Sequence, residues 1–283
     1  HFAPTVMVPM KTILLALVAC ACLGGAAIKL LAEGRAAADI EALRERVRGE
    51  ETVVIRIELD KSAVSTADLP QPAENAMAAT PTPTAVPTRS PKELEKLAAY
   101  AELRAENEEF AGWIVVPDTQ ADCPIMYSPE RKWYYYQRDF EGNHSRRGML
   151  FIDERGTPDG RNVIIYGHNM KSGSMFGELS KYLEESFALS HRELSYDTLE
   201  ELGTYRVISV YQTTADGKNA YPFYLYAGLE SGEELADYGA EAISRSLFDF
   251  GERVTADDRL VTLVTCSYFA EDGRLIVVAK RVS

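Results

Sequence analysis

From Gly112 onward, apolar residues come in short runs rich in β-branched and aromatic side chains, separated by turn-forming residues. That texture predicts strands rather than long helices. The runs are Trp113–Val116, Ile125–Tyr127, Met149–Ile152, Asn162–Tyr166, Tyr205–Tyr211, Phe223–Tyr226, Leu260–Thr265 and Leu275–Val282. Eight of them predict a closed barrel or a sandwich. Helical periodicity interrupts the series twice, around Met175–Phe187 and over Gly232–Phe250, where Leu235, Tyr238, Ala242 and Ile243 share a face. A further helix is predicted from Ser90 to about Phe110, because Ser90 can cap it, Pro91 suits its first position and Glu93 completes a capping box.

The pattern differs upstream of Ser90. Thr12 to Ile28 carries no charge, and with Lys29 snorkelling the run extends through Ala32, long enough to cross a bilayer as a helix. A cleaved signal also fits, since Leu17-Val18-Ala19-Cys20 resembles a lipobox ending in a lipidatable cysteine. Either reading leaves the remainder tethered outside the cytoplasm. Ile40, Leu43 and Val47 at helical spacing predict a short amphipathic stalk helix within 33–51 whose contribution is reach. The Pro-, Thr- and Ala-rich stretch from Leu69 to Pro91 cannot bury apolar surface and marks a domain boundary. The expected organisation is therefore a cytoplasmic tail or foreign residues over 1–11, a transmembrane anchor over 12–32, a stalk and linker over 33–90, and a catalytic domain over 91–283.

Composition narrows the function. The chain has 283 residues, 46% of them hydrophobic, which suits one well-buried domain with appendages. A formal net charge of -13 argues against a nucleic-acid partner, which would require a basic surface. Cys20 and Cys22 fall in the N-terminal apolar run, leaving Cys123 and Cys266 for the globular part, as free thiols or as one bridge. The four histidines and these thiols show no metal-ligand spacing, so no metal and no other cofactor is expected.

Arg259–Ser283 reads as a β-hairpin turning at Glu271-Asp272-Gly273. If Cys266 pairs across from Arg274, then Val264 meets Ile276, Thr262 meets Val278, and all six side chains share a face. A cation fixed beside a thiol lowers its pKa or stabilises the oxyanion formed when the sulfur attacks a carbonyl. His168, just past the apolar run 163–166 and a glycine, is expected where a strand gives way to a loop. Sulfur, imidazole and guanidinium together suffice for thiol acyl transfer. The same residues also fit a plain framework: a buried small cysteine, a turn histidine and a solvated arginine.

At these positions the sequence resembles the sortase family, more narrowly its class B. Thr262-Leu263-Val264-Thr265-Cys266 is similar to the TLxTC signature, Arg274–Ala279 to the strand bearing the family's catalytic arginine, and Ile165–Met170 to its histidine segment. The likeness extends over about Gly112–Val282, through Trp113, Tyr134–Tyr136, Gly148–Asp153 and Met175–Leu179, and the Gly232–Phe250 helix resembles the class B insertion. The resemblance implies a mainly β fold: an eight-stranded sortase-type β-barrel with an N-terminal helix and a helix inserted between the sixth and seventh strands.

It also implies a membrane-anchored cysteine transpeptidase, single-pass, with its catalytic domain on the extracytoplasmic face. Such an enzyme cleaves a C-terminal sorting signal of secreted proteins and passes the acyl group to an amine of a peptidoglycan precursor or a pilin lysine. Cys266, His168 and Arg274 would be catalytic, and Thr265, Ser267, Thr213, Thr214 and Tyr221 would line the peptide groove. The competing readings are a tethered lipoprotein module that binds peptide or glycan without catalysis, and a thiol hydrolase that uses water as acceptor.

Overall fold

A computed structural model describes residues 34–35, 37–48, 89–215 and 220–283. The expected anchor over 12–32 and nearly all of the Pro/Thr-rich linker lie outside the described residues. Among the described residues no helix is long and apolar enough to cross a membrane.

Residues 34–35 and 37–48 are helical (α1). The next helix, α2, spans Pro91–Glu106 and starts as its sequence dictates: the Ser90 hydroxyl accepts from Glu93 N while the Glu93 carboxylate accepts from Ser90 N. Eight strands follow: β1 Phe110–Val115, β2 Asp122–Met126, β3 Leu150–Ile152, β4 Asn162–Tyr166, β5 Glu193–Thr198, β6 Thr204–Thr214, β7 Leu260–Cys266 and β8 Gly273–Arg281. Helix α3 (Glu185–Ser190) precedes β5, and α4 (Gly232–Ser244) lies between β6 and β7. The strands pair in the order β1-β2-β3-β4-β7-β8-β6-β5, and β1 also pairs with β5, so the ends of the sheet meet. The β2–β3 and β4–β7 pairs are parallel and the others antiparallel.

The fold-class expectation is corrected here. What stands is a mixed eight-stranded sheet closed by the β1–β5 pairing, with an N-terminal helix and a helix between β6 and β7, rather than a mainly β fold. Helices and 3-10 turns together hold more residues than the strands do. The strand count agrees only because two errors offset each other. Phe223–Tyr226, aromatic enough to look like a strand, is a 3-10 turn after Pro222, and β6 beside it already has β5 and β8 as partners. The strand Glu193–Thr198 was missed because Glu193, Ser195 and Asp197 mask its alternation, although Leu194 and Tyr196 are buried.

Both faces of β4, β7 and the centre of β8 are buried, which explains their near-continuous Val, Ile and Leu. Helix α2 is pinned across β5 by Asp197, 1% exposed, which takes the Tyr100 hydroxyl at 2.9 Å, Lys96 at 2.7 Å and Gly203 N at 3.0 Å. Three donors satisfy a carboxylate that burial would otherwise penalise heavily. The result is a rigid sheet whose β4, β7 and β8 ends open at one level.

Candidate active site

Adjacent strands β4, β7 and β8 bring the three candidate catalytic residues into one row. Parallel pairing of β4 with β7 ends with Tyr166 opposite Val264, and His168 follows two residues on, next to Asn169, whose side chain reaches the Cys266 carbonyl. Antiparallel pairing sets Cys266 opposite Arg274, Val264 opposite Ile276 and Thr262 opposite Val278, so the condition on which the hairpin reading rests is met. On the far side of β8, Thr213 of β6 faces Arg274. Residues directly opposite one another point to the same side of a sheet.

The strand ends are locked by short polar contacts. Gly167 N donates to Val264 O, and the Thr265 hydroxyl donates to Gly167 O at 2.8 Å. Asn169 Nδ2 donates to the carbonyl of Cys266 itself at 2.8 Å. Position 167 must be glycine, because a side chain there would run into Leu150 and Phe176. The turn from β7 to β8 passes through Asp272 at φ 54°, a left-handed geometry that aspartate tolerates.

Tyr136 ties the row together from above. Its backbone carbonyl lies 2.7 Å from His168 Nε2, and its ring packs on the imidazole with centroids 4.0 Å apart. A carbonyl can only accept, so Nε2 carries a proton and Nδ1 is left to exchange one. Burial pushes the Tyr136 phenol above its usual range; the nearby Cys266 sulfur adds to that and Arg274 opposes it. One side chain thus lies in electrostatic reach of Cys266 and Arg274 while it packs on His168. Burial also holds the His168 imidazole below its ordinary pKa, and the Tyr136 carbonyl, which favours the charged ring, only partly offsets this.

Beside His168 stands an aromatic wall. Trp133 packs against Tyr136, Phe151 and Tyr166 with centroids 6.0, 5.5 and 5.1 Å away. The Tyr166 hydroxyl donates to Asp153 Oδ2 at 2.8 Å, and Arg155 grips the same carboxylate. Tyr136 enters the sequence reading only within the Tyr134–Tyr136 likeness, with no site role, and Trp133 does not enter it; their partial exposure, 38% and 44%, sets them apart.

Both globular cysteines are free, Cys123 buried and Cys266 half-buried, so the bridge left open by spacing does not form. Among the described residues no group of three or more His, Cys, Asp or Glu could hold a metal ion.

The five candidate groove residues divide. Thr265 is buried and occupied with Gly167 O, whereas the partly exposed Ser267 accepts from Gln212 Nε2 at 2.6 Å. Thr213 is buried, and its hydroxyl takes the Tyr221 amide at 2.9 Å, closing the loop after β6. Thr214 is half-buried at the end of that strand. Tyr221 is 7% exposed and packs among Tyr211, Tyr226 and the Arg245 guanidinium, within the scaffold under α4.

The Sortase domain family matches residues 114–282, more than half of the chain. Sortase B of Listeria monocytogenes is 32% identical over 186 residues, which cover 64% of this chain and 73% of that protein. Among solved structures, a Bacillus anthracis protein similar to sortase B superposes with a TM-score of 0.57 at 40% identity, covering 65% of this chain and 82% of the other. The Staphylococcus aureus sortase B–substrate complex gives a TM-score of 0.58 at 28% identity, covering 66% and 85%.

Proposed function

The chain belongs to the sortase family, in its class B, and from that premise we propose that Cys266 is its nucleophile, His168 its acid and base, and Arg274 its oxyanion stabiliser. The activity is that of a sortase B-type cysteine transpeptidase. A non-catalytic binding module no longer competes.

The reaction follows from these three groups. The Cys266 thiol passes its proton to His168 Nδ1, the thiolate Sγ attacks the carbonyl carbon of the scissile peptide bond, and the displaced electron pair settles on the oxygen. Arg274 faces that oxygen with charged N–H donors, and such donors contribute most where charge develops in a site sheltered from water. Collapse of the adduct breaks the C–N bond, and the departing amine takes a proton from His168 Nδ1. A thioester on Cys266 remains. The acceptor amine then gives a proton to the same nitrogen, attacks the thioester and releases the sulfur. The Tyr136 carbonyl keeps its bond to Nε2–H throughout, so the ring need not turn between the two proton transfers.

Class B sortases act in general on secreted proteins bearing a sorting signal and pass them to cell-wall or pilin amines. We assign this chain the same class of substrate, a pentapeptide signal near the C-terminus of a secreted protein. The partly exposed rings of Trp133 and Tyr136, backed by buried Tyr166, support contact with its apolar side chains. We further assign residues 12–32 as the membrane anchor, with the catalytic domain on the extracytoplasmic face.

The observation that carries the proposal is the Cys266–Arg274 pairing beside a parallel strand, β4, that ends two residues before His168. The test is cleavage of a peptide library by the full chain and by Cys266→Ala, with triglycine or a lysine peptide as acceptor. Wild-type protein should select one pentapeptide pattern and form the transpeptidation product with one of the acceptors. Equal cleavage by Cys266→Ala would overturn the assignment. Hydrolysis alone at every acceptor concentration would make water the acceptor.

A further inference from the structure

Helix α1 was expected to serve only for reach, but it is seated on the catalytic domain. Ile40, Leu43 and Val47, at i, i+3 and i+7, are 5%, 6% and 8% exposed and belong to the same buried cluster as the sheet. Ile40 and Leu43 share a small cleft with Phe140 and Met149. Arginines on the helix meet an acidic and carbonyl-rich rim: Arg46 pairs with Glu106 at 2.7 Å, and Arg44 donates to Gln120 O at 2.9 Å. Exposed ion pairs add little by themselves, so the apolar stripe holds the helix and the arginines fix its register.

This seat changes what the linker does. Glu106 ends α2, whereas the chain re-enters the domain at Ser90, which starts it. The return path is therefore roughly the length of a 16-residue helix, about 24 Å, which seven or eight extended residues would span. Roughly 40 residues, 49–88, stand between the two points. As a free spacer, a Pro-rich stretch of that length would extend about 120 Å. With α1 seated it bridges two nearby points on one body.

We propose that this seat on the face of Glu106, Gln120, Phe140 and Met149, rather than the Pro/Thr-rich segment, sets the height of the catalytic domain above the bilayer. The catalytic domain is then held close to the bilayer, with its height set at residue 34 and independent of the Pro/Thr-rich segment. This rests on the reading of 12–32 as an anchor.

The experiment places the full chain in lipid vesicles with acceptor dye on the headgroups. A donor dye is attached at exposed Leu225→Cys, with the four native cysteines replaced by alanine. Energy transfer should be unchanged when residues 55–82 are deleted and when the 49–88 segment is doubled. In the Ile40→Asp/Leu43→Asp variant it should fall and become dependent on linker length. Transfer that follows linker length in the otherwise unaltered chain overturns the proposal.

Hydrogen exchange separates failure of the anchor from failure of the docking. Amides of 37–48 should be protected at least tenfold in the native chain, in vesicles or in solution, and lose that protection in the double variant. Unprotected amides there overturn the docking even if the chain inserts. A chain that stays out of vesicles with those amides protected overturns the anchored height, leaving only the intramolecular seat.

Discussion

The protein holds two free thiols in two neighbourhoods, and the contrast between them separates being a cysteine from being a nucleophile. Cys123 lies within β2, fully buried, with its neighbours Pro124 and Ile125 packed into the core. Burial pushes its thiol up to about 12, so almost none is thiolate near neutral pH. Cys266 ends β7, half-buried and opposite Arg274, beside the strand that leads to His168. Arg44 and Arg147 act on Cys123 as well, but desolvation outweighs them. A cation near a thiol is thus insufficient where there is no space for a substrate and no water to support charge.

Exchanging or removing the parts tests that contrast. Cys266→Ala should lower the rate of sorting-peptide cleavage by at least about 10⁴-fold in a continuous fluorescence assay, because a nucleophile has no substitute. Arg274→Ala should cost about 10²–10³-fold in kcat, the usual loss for one oxyanion donor. Arg274→Lys should recover only part of that, since an ammonium cannot reproduce the planar fork.

The next largest effect is on pH dependence. The His168 pKa is depressed mainly by burial, and Tyr136 packs on one face of the ring. Tyr136→Ala removes that cover but keeps the carbonyl bond to Nε2, so the imidazole pKa should rise toward its ordinary value. The acidic limb of the kcat/KM profile should move to higher pH with it, whereas Tyr136→Phe should leave the limb in place. An unmoved limb in the alanine variant would mean that Tyr136 does not shield the ring. Cys123→Ala completes the set: turnover should stay within about twofold, while chemical denaturation should show a loss of about 1 kcal/mol for the small void left in the core.

Much of this site was legible in the sequence because hairpins obey simple rules. Glu271-Asp272-Gly273 located the turn, and period-two alternation fixed which side chains share a face once Cys266 is set against Arg274, the pairing that the structure shows. The fold as a whole was less legible. Residues 223–226 and 193–198 were misread because a strand is defined by its partner as much as by its own residues, and partners were not visible. Tyr136 was passed over for a similar reason: its part rests on a backbone carbonyl, which every residue has. The seating of α1 was hidden by about 40 intervening residues, although its Ile40, Leu43 and Val47 stripe was visible and called for a surface to cover it.

The central claim is that acyl transfer passes through the sulfur of residue 266. Incubating the full chain with its preferred sorting peptide in the absence of acceptor, followed by acid quench and mass mapping, tests it most directly. The N-terminal fragment of the peptide should be found as a thioester on the segment containing Cys266, and it should disappear when triglycine or hydroxylamine is added. Cleavage product accumulating with no adduct on that segment, or with the adduct on Cys123, would contradict the account.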